Sequence, residues 1–499
     1  MALWQSIPFA CILLPLGSAA MTSVLKGRAA RHWTFFVMAV EVALSTAFMF
    51  LMASYDGSYT YMMGHFPAPW GNEIRAGRLE AITAHFFSLI MLLSLLGGLK
   101  KIDEHILADK TSLYYVMLLL LTSALMAQVY TNDIFTAYVF VEIMTLSACS
   151  LISARSTGRT LVASTRYMIM NLLGSALFLL GIILLYDLTG HLLMSNMKQA
   201  VAGLAATGAY HKPLTVVVAL ISIGLSIKSA LFPFHTWVPD AYGYSTPTSS
   251  AVLSSLVSKG YIFLLIKIMY RVIGLDVIVS TGINNVLFMF AIVGMVMGSV
   301  SAIRQNDIRR MIAFSSVAQI GYIFMGMGMG THAGMVAAMF HMFSHAMCKA
   351  MLFLAAGGLA DASGNSKQFR DLRGSGFRSP IAGVAFTIGA LSMVGFPFLG
   401  GFCSKLNFAM AAMELGSMPM MLALIVLAIS TALNTVYFLK TVITLYRKPL
   451  DNADYPVARG RRGFCFNASL VGFSVVNIAL GLFAQSINGA ISAGLKMFG

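Results

Sequence analysis

Apolar residues run along this chain in stretches of about 20, the length needed to cross about 30 Å of hydrocarbon, and short polar segments separate them. The pattern predicts fourteen membrane-spanning helices, near residues 4–25, 33–53, 81–99, 112–130, 134–153, 166–188, 214–232, 247–273, 283–303, 310–329, 332–357, 380–402, 417–446 and 466–486. The first run is too long for the apolar core of a secretion signal and lacks a basic start, so it reads as a retained helix. The longest polar stretches, 54–80, 189–213, 358–379 and 447–465, leave no room for a soluble catalytic domain. The expected fold class is therefore an all-α polytopic membrane protein that works inside the membrane.

Composition narrows this further. The chain has 499 residues, 58% hydrophobic and 10% charged, where a soluble protein carries about 25% charged residues and a single soluble core stops growing at about 250–300 residues. A soluble enzyme, a disulfide scaffold, a coiled coil and a disordered chain are excluded. The net charge of +15 does not mark a nucleic-acid partner, because the basic residues sit in short loops. Loops after runs 1, 3, 5, 9, 11 and 13 hold 21 Lys and Arg, and those after even-numbered runs hold five: Arg75, Arg78, Lys198, Lys212 and Arg271. By the positive-inside rule both termini face the extracytoplasmic side of a prokaryotic plasma membrane. Cys11, Cys149, Cys348, Cys403 and Cys465 are scattered, without a CxxC pair, and no GxGxxG or GxxxxGKS occurs. No cofactor or metal is expected.

Charge inside the runs carries the candidate chemistry, since a charged side chain at mid-bilayer costs about 2.5–3.5 kcal/mol. Glu142 lies midway along the fifth run, Lys228 in the seventh, Lys259 and Lys267 in the eighth, His341, His345 and Lys349 in the eleventh, Lys405 beside the twelfth and Lys440 in the thirteenth. One acid and several bases suggest a chain of exchangeable protons, lysine having a movable pKa that arginine lacks. The plainer readings are a Glu142 that neutralises a lysine, a Lys228 that caps carbonyls freed before Pro233, and Lys267 and Lys440 snorkelling to helix ends. His341, His345 and Lys349 are spaced i, i+4, i+8 on one helix face. No HExxH acid accompanies them, which favours a proton relay over metal.

Pro and Gly mark breaks. The seventh run enters Phe232-Pro233-Phe-His235-Thr-Trp237-Val-Pro239-Asp240, and the twelfth enters Gly395-Phe-Pro397-Phe-Leu-Gly400-Gly401. Proline removes a donor and disrupts the helical ladder, and such backbone survives at membrane depth only when buried in protein or lining a polar cavity. Two broken helices five runs apart suggest two inverted five-helix repeats, runs 4–8 and 9–13. Boundaries follow at 1–111, 112–273, 283–446 and 447–499.

Lys228 through Asp240, followed by Ser245-Thr-Pro-Thr-Ser249, closely resembles the broken-helix signature of the antiporter-like subunits found in respiratory complex I, Mrp-type cation/proton antiporters and membrane-bound hydrogenases. Asp307 through Tyr322, His341 through Lys349, and Gly395 through Lys405 resemble its further patterns, in the same order. The resemblance implies that Glu142, Lys228, Lys259 and Lys405 are the acid and the three lysines of an ion path. Lys405 and the segment His65–Ile74 are more similar to the Mrp D-subunit type than to complex I relatives with glutamate at that position. Arg75-Ala-Gly-Arg-Leu-Glu80 and Arg166-Tyr167 depart from the family pattern, at places not expected to touch the central axis.

The resemblance thus implies an ion-translocating subunit moving H⁺, with exchange against Na⁺ as a variant, and other membrane subunits as partners. The rivals are a stand-alone secondary transporter, a structural subunit whose charges only hold helices together, and a redox enzyme, the last disfavoured by the missing cofactor ligands.

Overall fold

In hydrocarbon every backbone N–H and C=O must be satisfied within the protein, and the apolar runs do this as helices. The computed structural model describes residues 3–55, 57–66, 70–449 and 463–498. Pro67, Ala68 and Pro69 of the His65–Ile74 segment, and the loop cations Arg459, Arg461 and Arg462, lie outside them. The first spans are α1 (Ile7–Val24), α2 (Arg28–Ser54), α3 (Arg78–His105), α4 (Thr111–Tyr130), α5 (Ile134–Ser153), α6 (Gly158–Thr189) and α7 (His211–Ser229). Then come α8 (Pro247–Ile273), α9 (Ile283–Ile303), α10 (Ile308–Gly328), α11 (His332–Asp361), α12 (Pro380–Val394), α13 (Met418–Leu445) and α14 (Phe464–Leu482). Thirteen described helices are long and apolar enough to cross a membrane, and α12 is a shorter apolar helix. The protein is a multi-pass, all-helical membrane protein.

The twelfth run is broken as expected but extends past 402, to Leu415. It is two helices, because Gly395 (φ 96°) and Phe398 (φ 68°) turn the backbone left-handed around Pro397 before a second helix runs over Gly400–Leu415. The seventh breaks likewise at Ala230 (φ 67°) and resumes as Val238–Tyr244. Short helices at Met194–Ala206, Leu275–Thr281 and Ala484–Lys496 were not expected, nor was a hairpin of β1 (Tyr59–Met62) on β2 (Glu73–Ala76). Elements this short fall below the length at which spanning hydropathy registers.

Helices α5 and α10 begin alike. Asp133 caps α5 by accepting the Thr136 N–H at 2.6 Å, and its backbone bridges Leu193 between α6 and α7. Asp307 caps α10 by accepting the Arg309 N–H at 2.8 Å, and its backbone bridges Gln368 between α11 and α12.

Close helix approach brings the site residues together. A β-carbon on Gly224 would lie 2.8 Å from the Gly174 carbonyl oxygen, and one on Gly174 would lie 3.0 Å from the Lys228 Cγ. So α6 and α7 meet backbone to backbone beside Lys228. At the other break a β-carbon on Gly401 would lie 1.8 Å from the Ser392 oxygen, so only glycine lets the two halves of the twelfth span touch.

Gly224→Val is expected to force α6 from α7 and destabilise the protein by about 1–3 kcal/mol, visible as a lower melting temperature in detergent. Gly203→Val, a site with nothing within 4 Å, should leave melting unchanged. Equal melting of the two variants would refute the close approach.

Candidate functional site

Capping at Asp133 sets α5 so that Glu142 falls midway along it, and the last turn of α7 carries Lys228 to meet it. The Glu142 Oε1 and the Lys228 Nζ are 3.5 Å apart; the lysine side chain is fully buried while 26% of the Glu142 side chain is exposed. Ser175 donates to the carboxylate, and Lys228 donates to Thr145 Oγ1 at 2.9 Å. Thr145 also meets the Tyr261 hydroxyl at 2.9 Å, and the Lys228 Nζ lies 5.3 Å from the centre of the Tyr261 ring. The acid expected to be one half of a pair with Lys228 is therefore at its side, and Tyr261 links that pair to α8.

Throughout their apolar stretches α8 and α11 are buried among other helices. Residues Leu253–Val257 of α8 form a π-helical turn, and the Lys259 ammonium donates to the Ser254 carbonyl within it. A π turn widens the ladder and leaves a carbonyl oxygen open to such a side chain. On α11 the His341 and His345 rings stack in parallel, 5.7 Å between centroids. His341 Nδ1 lies 2.7 Å from Ser404 Oγ, next in sequence to Lys405. Lys405 donates to the Met393 and Val394 carbonyls at 3.0 and 2.7 Å, the orphan acceptors at the end of α12, and lies 5.8 Å from the centre of the Tyr322 ring. Tyr322 in turn stacks on His341 at 5.5 Å.

Lys349 leaves this group for α10, donating to the Ile312 carbonyl at 3.0 Å and to the Ser315 hydroxyl. Pro233 leads into the turn Phe234–Trp237 that links the two parts of the seventh span. Gly400 opens the second helix of the twelfth, where a β-carbon would lie 2.8 Å from Ser344 Oγ. Both nitrogens of His345, Nε2 of His341, Oγ of Ser344 and the amide of Gln319 are buried without a hydrogen-bond partner among the described residues. No group of three His, Cys, Asp or Glu suited to a metal occurs among the described residues.

Other charges lie outside this group. Lys267, read as a snorkelling residue, is fully buried and donates to the Val129 and Thr131 carbonyls at 2.7 and 2.5 Å, at the C-terminal end of α4. Lys440 is exposed on α13, as that reading required. Glu80 and Arg166 do touch the central helices. Glu80 lies 3.6 Å from Arg271 at the end of α8, and Arg166 lies 2.5 Å from Asp240 on the broken seventh span. Glu41 on α2 is fully buried with neither oxygen bonded among the described residues; its place inside an apolar run was signal enough to find it. Arg309 is the anchor of the far end of the broken seventh span, beyond the break. Its guanidinium donates to the Tyr242, Ser245 and Thr246 carbonyls at 3.1, 2.6 and 3.3 Å and to the Ser250 hydroxyl.

Fold and site together define a polytopic helical membrane protein with buried ionisable side chains gathered at two broken spans. The chain belongs to the NADH:quinone oxidoreductase/Mrp antiporter transmembrane family, whose profile matches residues 131–431. It is 32% identical to NADH-quinone oxidoreductase subunit N of Desulforudis audaxviator over 501 aligned residues, 96% of each chain. It is 29% identical to the corresponding subunit N 1 of Sorangium cellulosum, over 80% of this chain and 79% of that one. Among solved structures it superposes on a chain of an archaeal membrane-bound sulfane sulfur reductase with TM-score 0.88 and 26% identity, covering 99% of this chain and 98% of that one. A chain of the Mrp complex from Dietzia shares the fold, with TM-score 0.85 and 23% identity over 100% and 98% of the two chains.

Arg309→Met is expected to leave the buried Ser245 carbonyl without its donor, while those of Tyr242 and Thr246 keep Ser250, at a cost of about 1–3 kcal/mol that lowers the melting temperature. Arg310→Met, at a partly exposed side chain, should lower it much less. A melting temperature unchanged by Arg309→Met would remove it as the anchor.

Proposed function

We propose that the chain is a proton-translocating membrane subunit of a multisubunit assembly, of the kind its relatives' names describe. It would sit in a prokaryotic plasma membrane with both termini on the extracytoplasmic side. The observation that carries this reading is the Glu142–Lys228 contact of 3.5 Å at the foot of a broken helix. An acid beside a lysine raises the lysine's proton affinity, and drawing the two apart lowers it. Such a pair can turn a small helix movement into uptake or release of a proton.

From the pair the proposed path runs through Thr145 and Tyr261 to Lys259, then along His345 and His341 to Ser404 and Lys405. Lys349 serves as a side branch on α10. Buried polar atoms are normally satisfied, so the unpartnered nitrogens of His345 and His341 and the amide of Gln319 support bridging by water, which carries protons between groups too far apart to touch. The proton is favoured over sodium as the ion moved. The proposed file is made of amines and imidazoles, with Glu142 as its carboxylate, whereas pores that pass metal cations are lined by oxygen ligands and acidic rings. The matched caps at Asp133 and Asp307 support reading α4–α8 and α9–α13 as two inverted repeats.

Lys228→Met keeps length and removes the charge. It is expected to abolish proton translocation in membrane vesicles while subunit levels stay normal; wild-type flux would sink the proposal. Lys405→Glu should retain more flux than Lys405→Ala, because either ionisable group can pass a proton. Equal loss in the two variants would withdraw Lys405 as a carrier. A sodium gradient that drives and is consumed by the flux would shift the assignment to exchange.

A further inference from the structure

Three loops converge at the end of the broken seventh span: the one following α5, the one at Gly243 and Tyr244, and the one following α11. Between them is a cavity of about 460 Å³ lined by Arg155, Thr157, Gly158, Arg159, Tyr244 and Lys367. Asp240, one turn before Tyr244, is already held by Arg166 at 2.5 Å and Arg310 at 3.0 Å. Among the described residues no ion pair joins Arg155, Arg159 or Lys367 to a carboxylate. Two of these cations are oriented by main-chain carbonyls: Arg155 donates to Tyr244 at 3.2 Å and Lys367 donates to Gly243 at 2.9 Å. The Arg159 guanidinium stands 5.6 Å from the centre of the Tyr244 ring. The first residues of α6, Gly158 and Arg159, turn the positive end of that helix toward the same cavity. Burial, and then the charge of Arg309, push the Lys367 ammonium down to about 7, a strain that an anion in the cavity would relieve.

Immediately beyond the cavity α6 presents an apolar surface outward: Leu161, Val162, Ile169, Leu172 and Leu173 are each at least half exposed. Three unpaired cations at the membrane edge above an open apolar helix face match a molecule with an anionic head and hydrocarbon chains. Arginine suits the head because its planar fork pairs with two phosphate oxygens at once.

We propose that this cavity binds the phosphodiester headgroup of an anionic phospholipid, its acyl chains lying along the outer face of α6. The loops concerned are those that carry the excess of basic residues, so the lipid belongs to the cytoplasmic leaflet. By neutralising Arg155, Arg159 and Lys367 it would hold Gly243 and Tyr244, and with them the end of the broken seventh span, in place.

The test uses the full chain in its assembled complex, placed in nanodiscs of phosphatidylcholine with a graded share of phosphatidylglycerol, the retained lipid being read by native mass spectrometry. Wild type should retain phosphatidylglycerol at least tenfold more firmly than phosphatidylcholine. Arg159→Gln should weaken that preference about fivefold, and Arg159→Gln with Lys367→Gln by more than tenfold. Arg370→Gln, at a largely exposed cation elsewhere on the same face, should leave it unchanged. If the double variant loses its fold, the surface change Arg159→Gln alone decides the matter. Unchanged retention in Arg159→Gln would overturn the site. Displacement of the lipid by millimolar inorganic phosphate would make it a free-anion pocket, and an acidic segment of a partner subunit found in the cavity of the complex would make it a protein interface; either outcome overturns the lipid assignment.

Discussion

A cation resting on backbone carbonyls is the contact on which the rest of this membrane interior depends. Breaking a helix in hydrocarbon leaves carbonyl oxygens that water cannot reach, and helix C-terminal ends carry about half a negative charge. Lys405 covers the Met393 and Val394 carbonyls at the break of the twelfth span, and Arg309 covers those of Tyr242, Ser245 and Thr246 where the resumed half of the seventh span ends. Lys267 sits on the end of α4, Lys259 on the π turn of α8 and Lys349 on α10. Of the buried cations described, Lys228 and Arg271 are the two placed against a carboxylate. Most of the positive charge is thus balanced by peptide dipoles and does not need buried acids.

That balance suits a proton carrier. A neutral amine still donates a hydrogen bond to a carbonyl, so Lys405 or Lys259 can lose its proton without leaving the break unsatisfied. An ion pair with a carboxylate behaves differently, because removing one charge strands the other in a low dielectric. Structural and proton-carrying roles are therefore compatible in the same lysines, and under the proposed function the Glu142–Lys228 pair is where coupling to movement would be felt. The exposure of Glu142 at the outer wall, against full burial of Lys228, leaves the acid within reach of a neighbouring subunit.

Arginine takes the places where a charge must never be lost. Arg309 joins α10 to the end of the seventh span, and Arg271 bonds Asn132 at 2.5 Å while facing Glu80 across the start of α3 and the ends of α4 and α8. These clamps hold the helices between which the lysines and histidines lie.

Sequence alone determined the number and order of spans, the two breaks and the positions of most of the charges within them, because each rests on a local property: a run long enough for the bilayer, a proline without its donor, or a charge where hydrocarbon penalises one. By the same rule Glu41 was legible and was passed over. Three things were decided only by tertiary structure. One was the partner of each charge, as when Lys267, two turns from a helix end, proved to be buried on α4. Another was the extent of the twelfth span, whose second half runs on to Leu415 and touches the first where Gly401 leaves room. The last was the central contact made by Glu80, which its position in an apparent loop concealed. Hydropathy along a chain reports whether a residue can lie in the membrane; which neighbour satisfies it depends on how helices far apart in sequence pack, and that information lies in no single segment.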